Sequence, residues 1–109
     1  MRVTTAREVF EDLAAEHLER PGAGRRMMFG RDCLTVGGRN VAFFHDDRLA
    51  LQLPPETADA LLTAGDADVP YMGKKPMRSW VAVGLPDGPA GVERWRALVA
   101  EAVGAAEKP

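Results

Sequence analysis

Leu49, Leu51 and Leu53 alternate with Ala50 and Gln52. A strict period of two requires a strand with one face on a core and a wetter opposite face, and it is incompatible with a helix. A strand also needs neighbours, and the sequence before it supplies them. Residues 40–45 are rich in β-branched and aromatic side chains (Val41, Phe43, Phe44), and residues 33–36 place Leu34 and Val36 on one face. Residues 26–29 read as a short first strand. Gly37 and Gly38 provide the positive backbone angles of a tight hairpin, and Asp46 and Asp47 the next turn. The middle of the chain is therefore expected to be a four-stranded antiparallel meander.

Helical patterns flank it. Over residues 5–19, Thr5 and Glu8 have capping-box spacing, and Phe10, Leu13, Ala14, His17 and Leu18 form one apolar stripe. Residues 20–24 break that helix. Pro54 and Pro55 end the meander and open a short helix with Ala58, Leu61 and Leu62 on its apolar side, closed by Gly65. Residues 66–69 read as a connector, and Tyr71 with Met72 as a short extended piece. Residues 79–83 form another strand, with Trp80 and Ala82 facing opposite to Val81 and Val83. A last helix over residues 89–105 carries Val92, Trp95, Leu98, Val99, Ala102 and Val103 as its stripe. The order predicts an α+β fold: an antiparallel meander sheet of about five or six strands, covered on one face by N-terminal, middle and C-terminal helices. With 109 residues, 46% of them hydrophobic, residues 1–109 make a single domain without room for a second core. No apolar run approaches the roughly 18 residues of a membrane span, and the N-terminus lacks a signal-peptide pattern, so a cytoplasmic protein is expected.

The residues that could carry chemistry are few. Cys33 is the lone thiol, which excludes an intrachain disulfide framework and a Cys-rich zinc site. It reads as a small buried strand residue, although Arg31 and His45 would lie near it if their strands pair. His17 sits on the apolar stripe, as a packed and hydrogen-bonded histidine would. His45 adjoins Asp46 and Asp47, a set that can hold a metal but is also ordinary turn chemistry. The carboxylates form no evident acid–base pair, and no phosphate loop, nucleophile elbow or dinucleotide fingerprint occurs. No cofactor, metal or catalytic set is therefore expected. Trp80 and Trp95 read as core anchors. Phe43 and Phe44 point to opposite faces of one strand, so one ring is expected outside the core, where it would favour a dimer or a ligand groove.

Charge is more informative by position than in total. The net charge of -2 excludes a polycation that coats nucleic acid by bulk charge. Yet from Arg20 to Arg48 six arginines face three acids, and Lys74, Lys75 and Arg78 form a second basic cluster. The first helix and residues 56–68 are acidic. Arg25, Arg26, Arg31, Lys74, Lys75 and Arg78 are the candidate contacts to nucleic acid or to a protein partner.

The ordered set of motifs resembles the TfoX (Sxy) N-terminal domain. Met27, Met28, Phe29 and Gly30 open the meander as that family's short first strand does. The hairpin at Gly37 and Gly38 before Val41 to Phe43, and the strand of Leu49, Leu51 and Leu53 before a helix, are similar to its next elements. Tyr71, Lys75, Pro76 and Met77 before the strand at 79–83, and a final helix containing Trp95, complete the likeness over about residues 5–106. Arg31, Asp32 and Cys33 depart from the glycine and aromatic often found after that first strand. Lys75 to Val83, with Trp80, is also similar to the MmcQ/YjbR family, which implies the same sheet-and-helix architecture. The resemblance implies a regulatory domain without catalytic residues, standing alone where complete competence regulators carry a second helix-hairpin-helix domain.

Three functions are consistent with these residues. The first is a non-enzymatic regulatory or interaction domain acting through a protein partner or as a homodimer. The second is a weak nucleic-acid binder that uses the basic residues. The third is a small-ligand pocket or enzyme between sheet and helices, involving Cys33, His45 or Tyr71.

Overall fold

In the computed structural model, residues 5–28, 30–72, 74–77, 79–86 and 88–107 are described. The alternating segment becomes a central strand of a six-stranded sheet. The elements run α1 (Ala6–His17), β1 (Ala23–Met28), β2 (Arg31–Val36), β3 (Arg39–His45), β4 (Arg48–Gln52), α2 (Pro55–Ala64), β5 (Ala67–Asp68), β6 (Tyr71–Met72), β7 (Lys75–Pro76), β8 (Trp80–Gly84) and α3 (Pro89–Glu107). The main sheet has the order β1-β2-β3-β4-β8-β5, while β6 and β7 form a separate hairpin. Every pairing is antiparallel. The fold is α+β with three helices, as the patterning predicts.

Local chemistry accounts for the boundaries. Thr5 caps α1 through a complete capping box with Glu8. The helix stops at His17, earlier than its apolar spacing suggests. Leu18 becomes the C-cap and is 47% exposed, so it leaves the stripe to which the sequence assigned it. Gly37 and Gly38 both take positive φ, as do Asp46 and Asp47, which matches the twist of two-residue hairpins. Gly65 closes α2 in the left-handed conformation. The connector expected at 66–69 contains β5, a two-residue strand on the free edge of β8. Two residues are too few to show a period, so only the tertiary pairing reveals it.

The sheet has two differently covered faces. Leu34, Ala42, Leu49, Leu51, Val81 and Val83 face the helices and pack with Phe10, Leu13, Trp95, Leu98 and Val99 into the main core. Between β2 and β3 the register slips, with Leu34 opposite Ala42 but Thr35 opposite Asn40. Val41 is the extra residue of this bulge, and both Val41 and Ala42 are buried in the main core.

On the other face Cys33, Phe43 and Ala50 form a smaller buried cluster under Met28, Met77 and Trp80. The ring expected outside the core is therefore covered. Phe43 packs against Trp80 with the rings tilted and centroids 5.2 Å apart, and Phe44 lies against Phe10 and Trp95. Trp80 anchors this smaller cluster and is only half-buried. Among the described residues no helix is long and apolar enough to cross a membrane.

Trp95 is the largest fully buried side chain, at 0% exposure, and its indole Nε1 donates to the Gly84 carbonyl at 3.2 Å. Replacing it with alanine removes both the ring that joins α3 to the sheet and that hydrogen bond. Trp95→Ala should cost about 3–5 kcal/mol in denaturant unfolding. An unchanged transition would show that α3 does not rest on this ring.

Candidate functional site

Adjacent residues in a strand face opposite ways, and this divides the candidate arginines. Arg25 pairs in register with Leu34 and lies on the helix side, whereas Arg26 pairs with Cys33 and lies on the outer side.

The helix side consumes its charge internally. Arg25 donates through Nε and Nη2 to Asp32 at 2.8 and 3.0 Å, and through Nη1 and Nη2 to Glu11 at 2.9 and 2.7 Å. Arg7 adds a hydrogen bond to Asp32 at 2.9 Å. Both guanidiniums lie over the Phe10 ring. The two forks clamp α1 to β1 and β2 in a planar geometry that only arginine provides. The Arg25 guanidinium holds the Asp32 and Glu11 carboxyls below their usual range, and Asp32 in turn raises Arg25 further. Arg25 is thus a structural cation, buried in ion pairs and poorly placed to meet a partner. Asp32 was legible as a problem: it shares the inward face with Leu34 and Val36, where a carboxylate needs a cation.

Other cations on this side are also engaged. Arg96 forks onto Glu16 at 2.9 Å and also pairs with Glu93. Arg94 approaches Asp66, and Arg39 donates to the Ala106 carbonyl in the last turn of α3. His17 is buried, with Nε2 at 2.7 Å from the Thr35 carbonyl oxygen, a packed and hydrogen-bonded histidine as its position on the stripe suggests.

The outer face is arranged differently. Arg26 reaches the Asn40 side-chain oxygen at 2.9 Å, a neutral partner. The Arg31 guanidinium lies 5.1 Å over the Phe43 ring, and its Nη2 donates to the Tyr71 carbonyl at 3.2 Å. This contact ties the β6–β7 hairpin to the sheet. The hairpin presents Lys74 and Lys75, both exposed. None of these four cations has a carboxylate partner among the described residues. Arg78 lies outside the described residues. The six candidates therefore do not act as one set: Arg25 belongs to the helix-side clamp, and Arg26, Arg31, Lys74 and Lys75 share the hairpin-capped side.

Cys33 is 4% exposed, its thiol donates to the Arg31 carbonyl at 3.7 Å, and burial pushes its pKa up. That is the environment of an inert thiol rather than an activated nucleophile. His45 stands at the end of β3 with Nε2 3.4 Å from Asp46. Among the described residues no group of three His, Cys, Asp or Glu side chains could hold a metal. His45 and Tyr71 do share a cleft with Arg31, but it opens on the outer face and not between sheet and helices as expected, and Cys33 does not line it. No protein-family model matches the chain, and no curated protein matches it in sequence.

The clamp has a definite pH signature. Carboxyl groups whose pKa is lowered on folding contribute stability above the usual carboxylate pKa and lose it as pH falls below about 4. Asp32→Asn should therefore cost about 2 kcal/mol at pH 7, with the gap to the parent chain closing as pH drops through the carboxylate range. A gap independent of pH would mean that the Asp32 charge does not contribute to the clamp.

Proposed function

We propose that this chain is a non-enzymatic binding module of regulatory type, which engages an acidic protein partner through the hairpin-capped face of its sheet. The observation that carries this reading is the unequal distribution of charge compensation. Among the described residues, Arg7, Arg25, Arg94 and Arg96 have carboxylate partners, as does Arg48 with Asp68 at the rim of the outer cleft, while Arg26, Arg31, Lys74 and Lys75 around the hairpin have none. Uncompensated cations on one face favour and steer encounter with an acidic surface. The absence of an activated nucleophile at Cys33 and the resemblance to the TfoX N-terminal domain point the same way.

A second reading, single-stranded nucleic acid, is favoured by Tyr71. It is 56% exposed on the hairpin that bears Lys74 and Lys75. An aromatic ring beside cations can stack a base while the cations meet phosphates.

Fluorescence anisotropy with a labelled poly-glutamate peptide and a labelled single-stranded oligonucleotide tests both readings. At about 50 mM salt the peptide should bind, with affinity falling steeply as salt rises. Charge reversal at Arg26, Lys74 and Lys75 together should abolish that binding. Preference for the oligonucleotide would select the second reading. Failure of both probes, or binding untouched by the reversal, would overturn the assignment of this face.

A further inference from the structure

Beside the hairpin, the outer face holds a cleft of about 650 Å³. Its origin is two small side chains. Ala50 and Ala82 pair across β4 and β8 and both point outward, where larger residues would fill the space. Phe43 pairs with Ala50 and forms one wall, while the chain from Asp68 to Tyr71 forms the opposite one. His45 and Arg48, paired in register, stand at the rim.

Two guanidiniums border this space. The Arg31 guanidinium lies over the Phe43 ring, and its Nη1 is buried without a hydrogen-bond partner among the described residues. Arg48 uses Nη1 on Asp68, leaving its remaining donors open at the rim. The cleft's carboxylates, Asp46 and Asp68, are largely exposed side chains that already face His45 and Arg48. The lining thus combines Tyr71, an alanine floor and arginine donors. Small-molecule pockets commonly combine an apolar surface with a few convergent polar groups, and this cleft has both in nearly equal share.

We propose that this cleft binds a small flat aromatic molecule carrying an anionic group, with the ring on the Ala50 and Ala82 floor beside Tyr71 and the anion on the Arg48 side. The inference goes beyond the macromolecular partner proposed above and can hold or fail independently of it. Another pocket, of about 600 Å³ between α2 and β8, offers no cation among its described lining residues. It serves as an internal control for merely apolar binding.

Amide chemical shifts of the intact chain, recorded by NMR during titration, test this directly. The probes are indole-3-acetate and adenosine monophosphate, with indole and adenosine as their neutral counterparts. Saturable shifts are expected at residues 43–50, 68–71 and 82 with at least one anionic probe. Response to indole-3-acetate alone would assign a carboxylate ligand, and response to the nucleotide alone a phosphate ligand. Arg48→Met should weaken the anionic probe about tenfold and leave the neutral one unchanged. Because Arg48 is at the rim, the spectrum of the free variant verifies that the fold is intact. Three results would overturn the proposal. They are no saturable shifts up to about 10 mM, shifts centred on Gln52, Ala58 and Leu62, or neutral probes binding as tightly as charged ones.

Discussion

The alternation of β4 imposes one requirement on everything around it: the sheet must present two faces of different character. Leu49 and Leu51 enter the main core, while Ala50 faces the smaller outer cluster. A slip of one residue would exchange these sets and bury Gln52 in place of leucine. The bulge at Val41 and Ala42 matters for the same reason. It lets both residues join the core while keeping Phe43 outward and Phe44 inward. The helices then cover one face, and the β6–β7 hairpin and Trp80 cover part of the other.

Charge follows the same division. On the helix side, burying arginine next to Phe10 is tolerable because Asp32 and Glu11 satisfy the guanidinium in two forks. The acidic first helix, which looked like a solvated face, is in part the counter-charge for that clamp. On the outer side Arg26 and Arg31 meet neutral acceptors or an aromatic ring. Arg31 ties the hairpin to the sheet, whereas Arg26, Lys74 and Lys75 contribute little to holding the chain together and so remain available for contacts outside it. The functional reading rests on this contrast.

Much of the architecture was legible because period two and period 3.6 are both strong signals over lengths of six residues or more. The three helices, the meander and the two hairpin turns followed from particular side chains. What escaped lay outside that scale. β5 has only two residues, and the exposure of Leu18 depends on where the backbone leaves α1. The candidate site was legible in composition but not in arrangement. Arg25 and Arg26 are neighbours in sequence, but the first strand was expected only from residue 26, so their opposite faces emerge with the longer β1, Ala23–Met28. Which face the helices cover could be read only through the register with Leu34 and Cys33. The cleft escaped because its cause is an absence of bulk at Ala50 and Ala82, which are distant in sequence and adjacent in space.

The central claim is that Arg26, Lys74 and Lys75 on the outer face are dispensable for folding, unlike the clamped arginine. Thermal unfolding of the combined Arg26→Gln, Lys74→Gln and Lys75→Gln variant, measured beside Arg25→Gln, tests it most directly. The account predicts a Tm for the triple variant within about 2 °C of the parent chain, or above it, and a fall of about 8 °C or more for Arg25→Gln. A triple variant that loses as much stability as Arg25→Gln would contradict it, because those cations would then be committed to the fold.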